Sequence, residues 1–220
     1  MALTHSTAPS HGRRVLTQCM SRLHRGHSTS PARFAVRPVC GLAHVQPHRV
    51  YKASVPDIIK GRLLTGATKA SWRYLLVAGD EAVGAVELVE KSGRVKPGEP
   101  GVGFHAFREG PYVAGTLQAL HEAEKLESVQ QANFQIRFLR VPPLYFAALW
   151  LHRKGRDILI PIVSPPEGLV AYQPYSEAEV LKVLQPLALR VMEMHARVKQ
   201  EQYQRRPSGK APKSRRHHRE

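Results

Sequence analysis

Eight consecutive residues, Leu144-Tyr-Phe-Ala-Ala-Leu-Trp-Leu151, are apolar or aromatic and do not alternate. A strand with one wet face alternates with a period of two, so an unbroken run of this length needs apolar cover on both faces. The run therefore belongs centrally in a layered domain, and its neighbours supply the layers. Asn133 to Val141 alternates, with Phe134, Ile136 and Phe138 on one side. Asp157 to Val163 closes a meander, and Pro161, having no N–H for the ladder, directs that strand to an edge or a bulge. Further upstream, Ser71–Ala78 and Ala82–Val89 flank Gly79-Asp80-Glu81 and read as a β-hairpin. Ser92 to Gly103 is a Gly/Pro-rich loop, and a short strand follows over Val102–Phe107.

Two helices complete the pattern. The first starts at Gly110-Pro111, where a missing N–H costs little, carries Leu117, Leu120 and Ala123 on its apolar stripe, and ends near Val129. The second opens with Ser176-Glu-Ala-Glu179, a capping box in which serine and glutamate satisfy each other's free backbone N–H groups. Its apolar stripe runs through Val180, Val183, Leu187, Val191, Met194 and Val198, with a kink expected at Pro186. The order is β-β-β-α-β-β-β-α. It predicts an α+β, two-layer domain over 54–200: a mostly antiparallel sheet of about six strands with two helices packed on one face. The second face would then be closed by loops 92–103 and 163–175, by curling of the sheet or by a second copy of the chain, the last of which would make a homo-oligomer.

The formal net charge of +16 sits mainly at the ends of the chain. Residues 1–47 hold six arginines and no acid, and residues 201–220 hold seven Lys/Arg against Glu201 and Glu220. The last segment mixes Pro, Gly and Ser with its charges and is expected to be a disordered arm able to meet an anionic partner, nucleic acid or an anionic surface. Residues 1–50 are expected to be a disordered or targeting-like basic segment, or an extension ahead of a start nearer Met20. Within them Gly12 to Arg25 forms an amphipathic helix of the kind found in organelle transit peptides. The expected location is cytoplasmic, with organelle targeting through residues 1–50 as the alternative. No apolar run reaches the ~18 residues of a transmembrane segment.

Several chemistries lack their residues. Cys19 and Cys40 both lie outside 54–200, so cysteine nucleophiles and CxxC redox pairs are excluded there. His121-Glu122 has no second histidine for a zincin, no G-x-S-x-G elbow or phosphate-loop motif is present, and no cofactor or metal is expected. The catalytic candidates are His105, Arg137, Tyr145 and His152. His105 precedes Arg108, Glu109 and a helix start whose N–H groups attract anions. The hairpin His152-Arg-Lys-Gly-Arg-Asp157 places His152 opposite Asp157, a base and its orienter or an exposed ion pair. Arg137 and Arg140 fall on opposite faces of one strand, and one of them shares a layer with Tyr145 or Trp150. Arg140, Arg153, Lys154 and Arg156 are the candidates for anion or ligand binding. The chain reads as a non-catalytic interaction or ligand-binding module. The alternatives are a small enzyme with a His/Arg/Tyr pocket at the sheet edge and weak sequence-independent nucleic-acid association through the tails.

Overall fold

The computed structural model describes residues 3–4, 7, 9, 11–24, 43–44, 47–93, 96 and 99–204. Its elements are β1 (Leu3–Thr4), α1 (Gly12–His24), β2 (Ala43–His44), β3 (His48–Lys52), α2 (Val55–Ile59), β4 (Thr68–Ala78), β5 (Glu81–Glu90) and β6 (Val102–Arg108). There follow α3 (Pro111–Lys125), α4 (Glu127–Gln130), β7 (Phe134–Val141), a 3-10 turn at Pro142–Leu144, β8 (Phe146–Arg153), β9 (Arg156–Pro161) and α5 (Glu177–Gln204). The basic arm expected over 205–220, most of the expected N-terminal extension, and Cys40 lie outside the described residues. Among the described residues no helix is long and apolar enough to cross a membrane.

The α+β class holds, but the sheet is larger than expected and mixed. Its strands run β6-β5-β4-β3-β7-β8-β9, with β1 paired to β7 and β2 to β4. The addition is β3, a His-Arg-Val-Tyr-Lys segment inserted between the hairpin and the meander. It pairs antiparallel with β4 and parallel with β7, so the ladder through the middle of the sheet is of both kinds. The folded part of the chain thus includes residues ahead of position 54. In the β4–β5 hairpin, Gly79 supplies the positive φ of 60° at the first turn position. Pro161 ends β9 at the sheet edge, where its missing donor leaves no ladder bond unmade.

The two main helices lie on opposite faces, not one, and the composition of β8 explains why. Ala147, Leu149 and Leu151 point to one side and Phe146, Ala148 and Trp150 to the other, so both sides need cover. On the first face, Val113, Ala119, Leu120 and Ala123 of α3 pack on Val50, Leu75, Phe138 and Leu149. On the second, Val180, Leu184 and Ala188 of α5 pack with Ile58 of α2 on Leu139, Val141, Trp150 and Leu159. The register through Arg49, opposite both Trp72 and Arg137, puts Trp72 on that second face. There Val15 and Leu16 of α1 cover Trp72, Tyr74, Leu76, Val86 and Leu88. The apolar face that motivated self-association is therefore covered by helices of the same chain.

The capping box closes as its sequence predicts: the Ser176 N–H donates to Glu179 at 2.7 Å and the Glu179 N–H to the Ser176 hydroxyl at 3.3 Å. The helix runs on through Pro186, and its buried line is Val180, Leu184 and Ala188. The outer part of the expected stripe, Met194 and Val198, is exposed, because α5 outruns the sheet.

The packing of α1 has a direct test. Leu16 is 2% exposed, and Leu16→Ala should lower unfolding stability by about 2–5 kcal/mol in urea denaturation, as for other buried leucines. A leader segment unattached to the domain would leave the midpoint unchanged.

Candidate functional site

The first face of the sheet carries charges where the core should be apolar. Arg73 on β4 is directly opposite Glu87 on β5 and His48 on β3, and all three side chains are buried. Arg140, near the end of β7, reaches across β3 and β4 to Glu87: Nη1 donates to Oε2 at 3.1 Å and Nη2 donates to Oε1. Arg108, at the end of β6, brings Nε to 4.0 Å from the same carboxylate. Phe138 is the floor of this group, with the Arg73 guanidinium 4.3 Å and the Arg140 guanidinium 5.2 Å from its ring centre, a geometry that favours cations.

Burial is the strongest influence on Glu87 and pushes its carboxyl up. The Arg140 hydrogen bonds, with the charges of Arg140, Arg73 and Arg108, outweigh it and hold the group below the ordinary carboxylate range. Arg73 fares differently. Burial first, then the Arg140 charge, pulls its guanidinium down to about 9 against the opposing pull of Glu87. Its Nη2 donates to the Tyr112 carbonyl at 3.4 Å, while Nε and Nη1 have no acceptor among the described residues. A guanidinium carries five donors in a fixed fork, so this buried cation keeps donor capacity that its neighbours leave unfilled.

The group opens into a cleft of about 470 Å³ at the start of α3. Lys52, Arg73, Arg108 and Arg140 line it, together with Glu109, Tyr112, Pro142 and Tyr145. Lys52, Arg108 and Arg140 come from strand ends, Arg73 from the middle of β4 and Tyr112 from the first turn of α3, and the sheet order brings them together. Tyr145 follows the 3-10 turn Pro142–Leu144, has a left-handed φ of 50° and is 85% exposed. Its carbonyl accepts the Tyr112 hydroxyl at 3.0 Å, which fixes the turn to α3.

The expected site residues fall into separate groups. Arg140 and Tyr145 share the cleft. Arg137 is on the opposite face, as alternation required, with its guanidinium 4.6 Å from Trp150 and 5.2 Å from Tyr51 and its Nε donating to Gln135 at 2.8 Å. His152 joins that second group: its Nδ1 is 2.7 Å from Asp157 Oδ1, an oxygen that also accepts the Trp150 indole N–H at 2.7 Å. His105 is exposed on the edge strand β6. Arg153, Lys154 and Arg156 are exposed around the β8–β9 turn, away from the cleft lining. The four catalytic candidates do not converge on one pocket.

Sequence reasoning passed over Arg73, Glu87 and Lys52. Comparison with protein-family models, with curated proteins and with solved structures gives no match. The functional reading therefore rests on the chemistry of the site.

Glu87 is 2% exposed at its side chain, so Glu87→Gln leaves the buried Arg73 and the partly buried Arg140 without this counter-charge. Unfolding stability near neutral pH should fall by about 3–5 kcal/mol, the usual cost of removing one partner of a buried pair. Because folding lowers this carboxyl from its ordinary value of 4.5, its contribution is complete above that value and is lost as pH falls through the lower folded one. Guanidinium titrations from pH 7 to 3 should show the gap between wild type and variant closing toward the acid end.

Proposed function

We propose that the protein is a ligand-binding module whose cleft on the α3 face takes the acidic group, phosphate or carboxylate, of a small molecule. The observation that carries this reading is Arg73: it is fully buried, it lines an open cleft, and two of its nitrogens are unpartnered among the described residues. A guanidinium held this way is unfavourable in the empty protein and favourable beside an anion. The rest of the cleft agrees. Lys52, Arg73, Arg108 and Arg140 stand against Glu87 and Glu109, leaving an excess of two positive charges. Arg140 is already engaged by Glu87, so Arg73, Arg108 and Lys52 are the groups that grip the ligand. Arg73 supplies directed hydrogen bonds from below, and the exposed Arg108 and Lys52 close over the anion from the rim. The start of α3 lies beside them and adds a weaker attraction of the same sign.

Thermal unfolding in inorganic phosphate, at constant ionic strength set with chloride, tests this. At a phosphate concentration a hundredfold above Kd, wild type should gain about 5–10 °C. Arg73→Met should abolish that gain while leaving the phosphate-free Tm equal to or above wild type, because it removes a buried cation that repels Arg140 and Arg108. A wild-type protein indifferent to phosphate, or an Arg73→Met variant that still responds, would overturn the assignment.

A further inference from the structure

Two features of the cleft are not explained by an anion alone. Glu109 lines it, and its Oε1 is buried with no hydrogen-bond partner among the described residues. A carboxylate oxygen inside an anion-binding cleft repels an acidic ligand unless the ligand brings a donor to it. Tyr145 is the second feature. A tyrosine 85% exposed, in a left-handed conformation at φ 50°, is held there by three constraints. Pro142 and Pro143 stiffen the turn, the Tyr145 N–H donates to the Pro142 carbonyl at 3.1 Å, and the Tyr145 carbonyl accepts the Tyr112 hydroxyl. Strain of this kind persists where surrounding contacts impose it, and it marks binding sites. The result is a fixed backbone that presents an exposed aromatic ring at the mouth of a basic cleft.

Resting on the anion-binding reading, we infer that the ligand is a nucleoside monophosphate: its phosphate meets Arg73, Arg108 and Lys52, its base stacks on Tyr145, and N–H donors on the base reach Glu109. Guanine fits best, since its N1–H and exocyclic N–H lie side by side and match the two oxygens of one carboxylate. Stacking on tyrosine accepts any base, so Glu109 selects among them. The volume of about 470 Å³ is in the range of sites for single small molecules.

Isothermal titration of the full chain with inorganic phosphate, ribose 5-phosphate, AMP and GMP separates the contributions. GMP should bind at least tenfold tighter than ribose 5-phosphate and tighter than AMP. Tyr145→Gly, which suits the positive φ and removes an exposed ring, should cost GMP roughly tenfold and leave phosphate binding unchanged. Glu109→Gln should erase the preference for GMP over AMP without weakening phosphate. If phosphate and ribose 5-phosphate bind but GMP binds no tighter, or if Glu109→Gln keeps the preference, the nucleotide inference falls and the anion site stands. If AMP equals or exceeds GMP, the guanine assignment falls. A 5′-phosphorylated single-stranded hexanucleotide that binds while GMP does not would move the site to nucleic acid and overturn the inference. If no ligand binds, inorganic phosphate included, both readings fall together.

Discussion

One carboxylate, that of Glu87, ties together the two halves of the sheet. Among the described residues, the β4–β5–β6 half and the β7–β8–β9 half are hydrogen-bonded into one sheet through β3, a five-residue strand. Arg140 crosses above β3 and β4 to grip Glu87 with both ends of its fork, and Arg73 lies between them in register with Glu87. A buried ion pair adds little net stability over apolar packing, but it is demanding about alignment. A slip of one residue between β4 and β5 would send Glu87 to the α1 face and leave the buried Arg73 and the partly buried Arg140 without it. The cluster therefore holds β5 to β7 in one alignment, which the apolar contacts around it would enforce less strictly.

The same arithmetic leaves a surplus. One carboxylate faces three guanidiniums, two of which already share the Phe138 ring. A core shaped by stability alone would place leucine or methionine at position 73, where the neighbours on the first face are Val50, Leu75 and Ala85. The departures from that ideal fall close together: a cation with donors and a carboxylate oxygen that find no partner among the described residues, and a tyrosine with left-handed backbone, all border one cleft. Local rules broken in concert, at the mouth of a cavity, are what supports the proposed ligand site.

Much of this architecture was legible in the chain. Six of the octet, Phe146–Leu151, are buried in β8 with cover on both faces, whereas Leu144 and Tyr145 belong to the turn ahead of it, and β8 lies one strand in from the edge and not at the centre. The hairpin, the capping box at Ser176 and the edge position of Pro161 were each readable from local chemistry. The strand β3 was not, because His48, Arg49 and Lys52 give it the look of a basic linker. Each finds a partner only in the folded sheet: His48 sits 6.1 Å from the Phe138 ring, Arg49 lies 3.9 Å over Trp72 and bonds Glu90 at 2.6 Å, and Lys52 lines the cleft. With β3 unrecognised, the parallel ladder to β7 could not be foreseen, since parallel pairing leaves no mark in adjacent residues. The placement of helices on opposite faces followed from the octet itself, yet assigning both to one face was the simpler reading of the element order.

The cleft escaped motif reasoning for a related reason. Its cations stand at 52, 73, 108 and 140, one on each of four strands, with no spacing that any motif describes. One part was nonetheless within reach. Strands 71–78 and 82–89 around a three-residue turn put 78 opposite 82, and counting outward puts Arg73 opposite Glu87. The structure reaches the same register by another route, with Ala78 opposite Glu81 and a bulge near Leu76 and Val77 restoring the count. Two lone opposite charges facing each other inside apolar strands indicate a buried pair, and a buried pair calls for further partners. Arg140, singled out as an arginine in an apolar strand, is that partner. Register, more than residue type, was the information that joined these positions into a site.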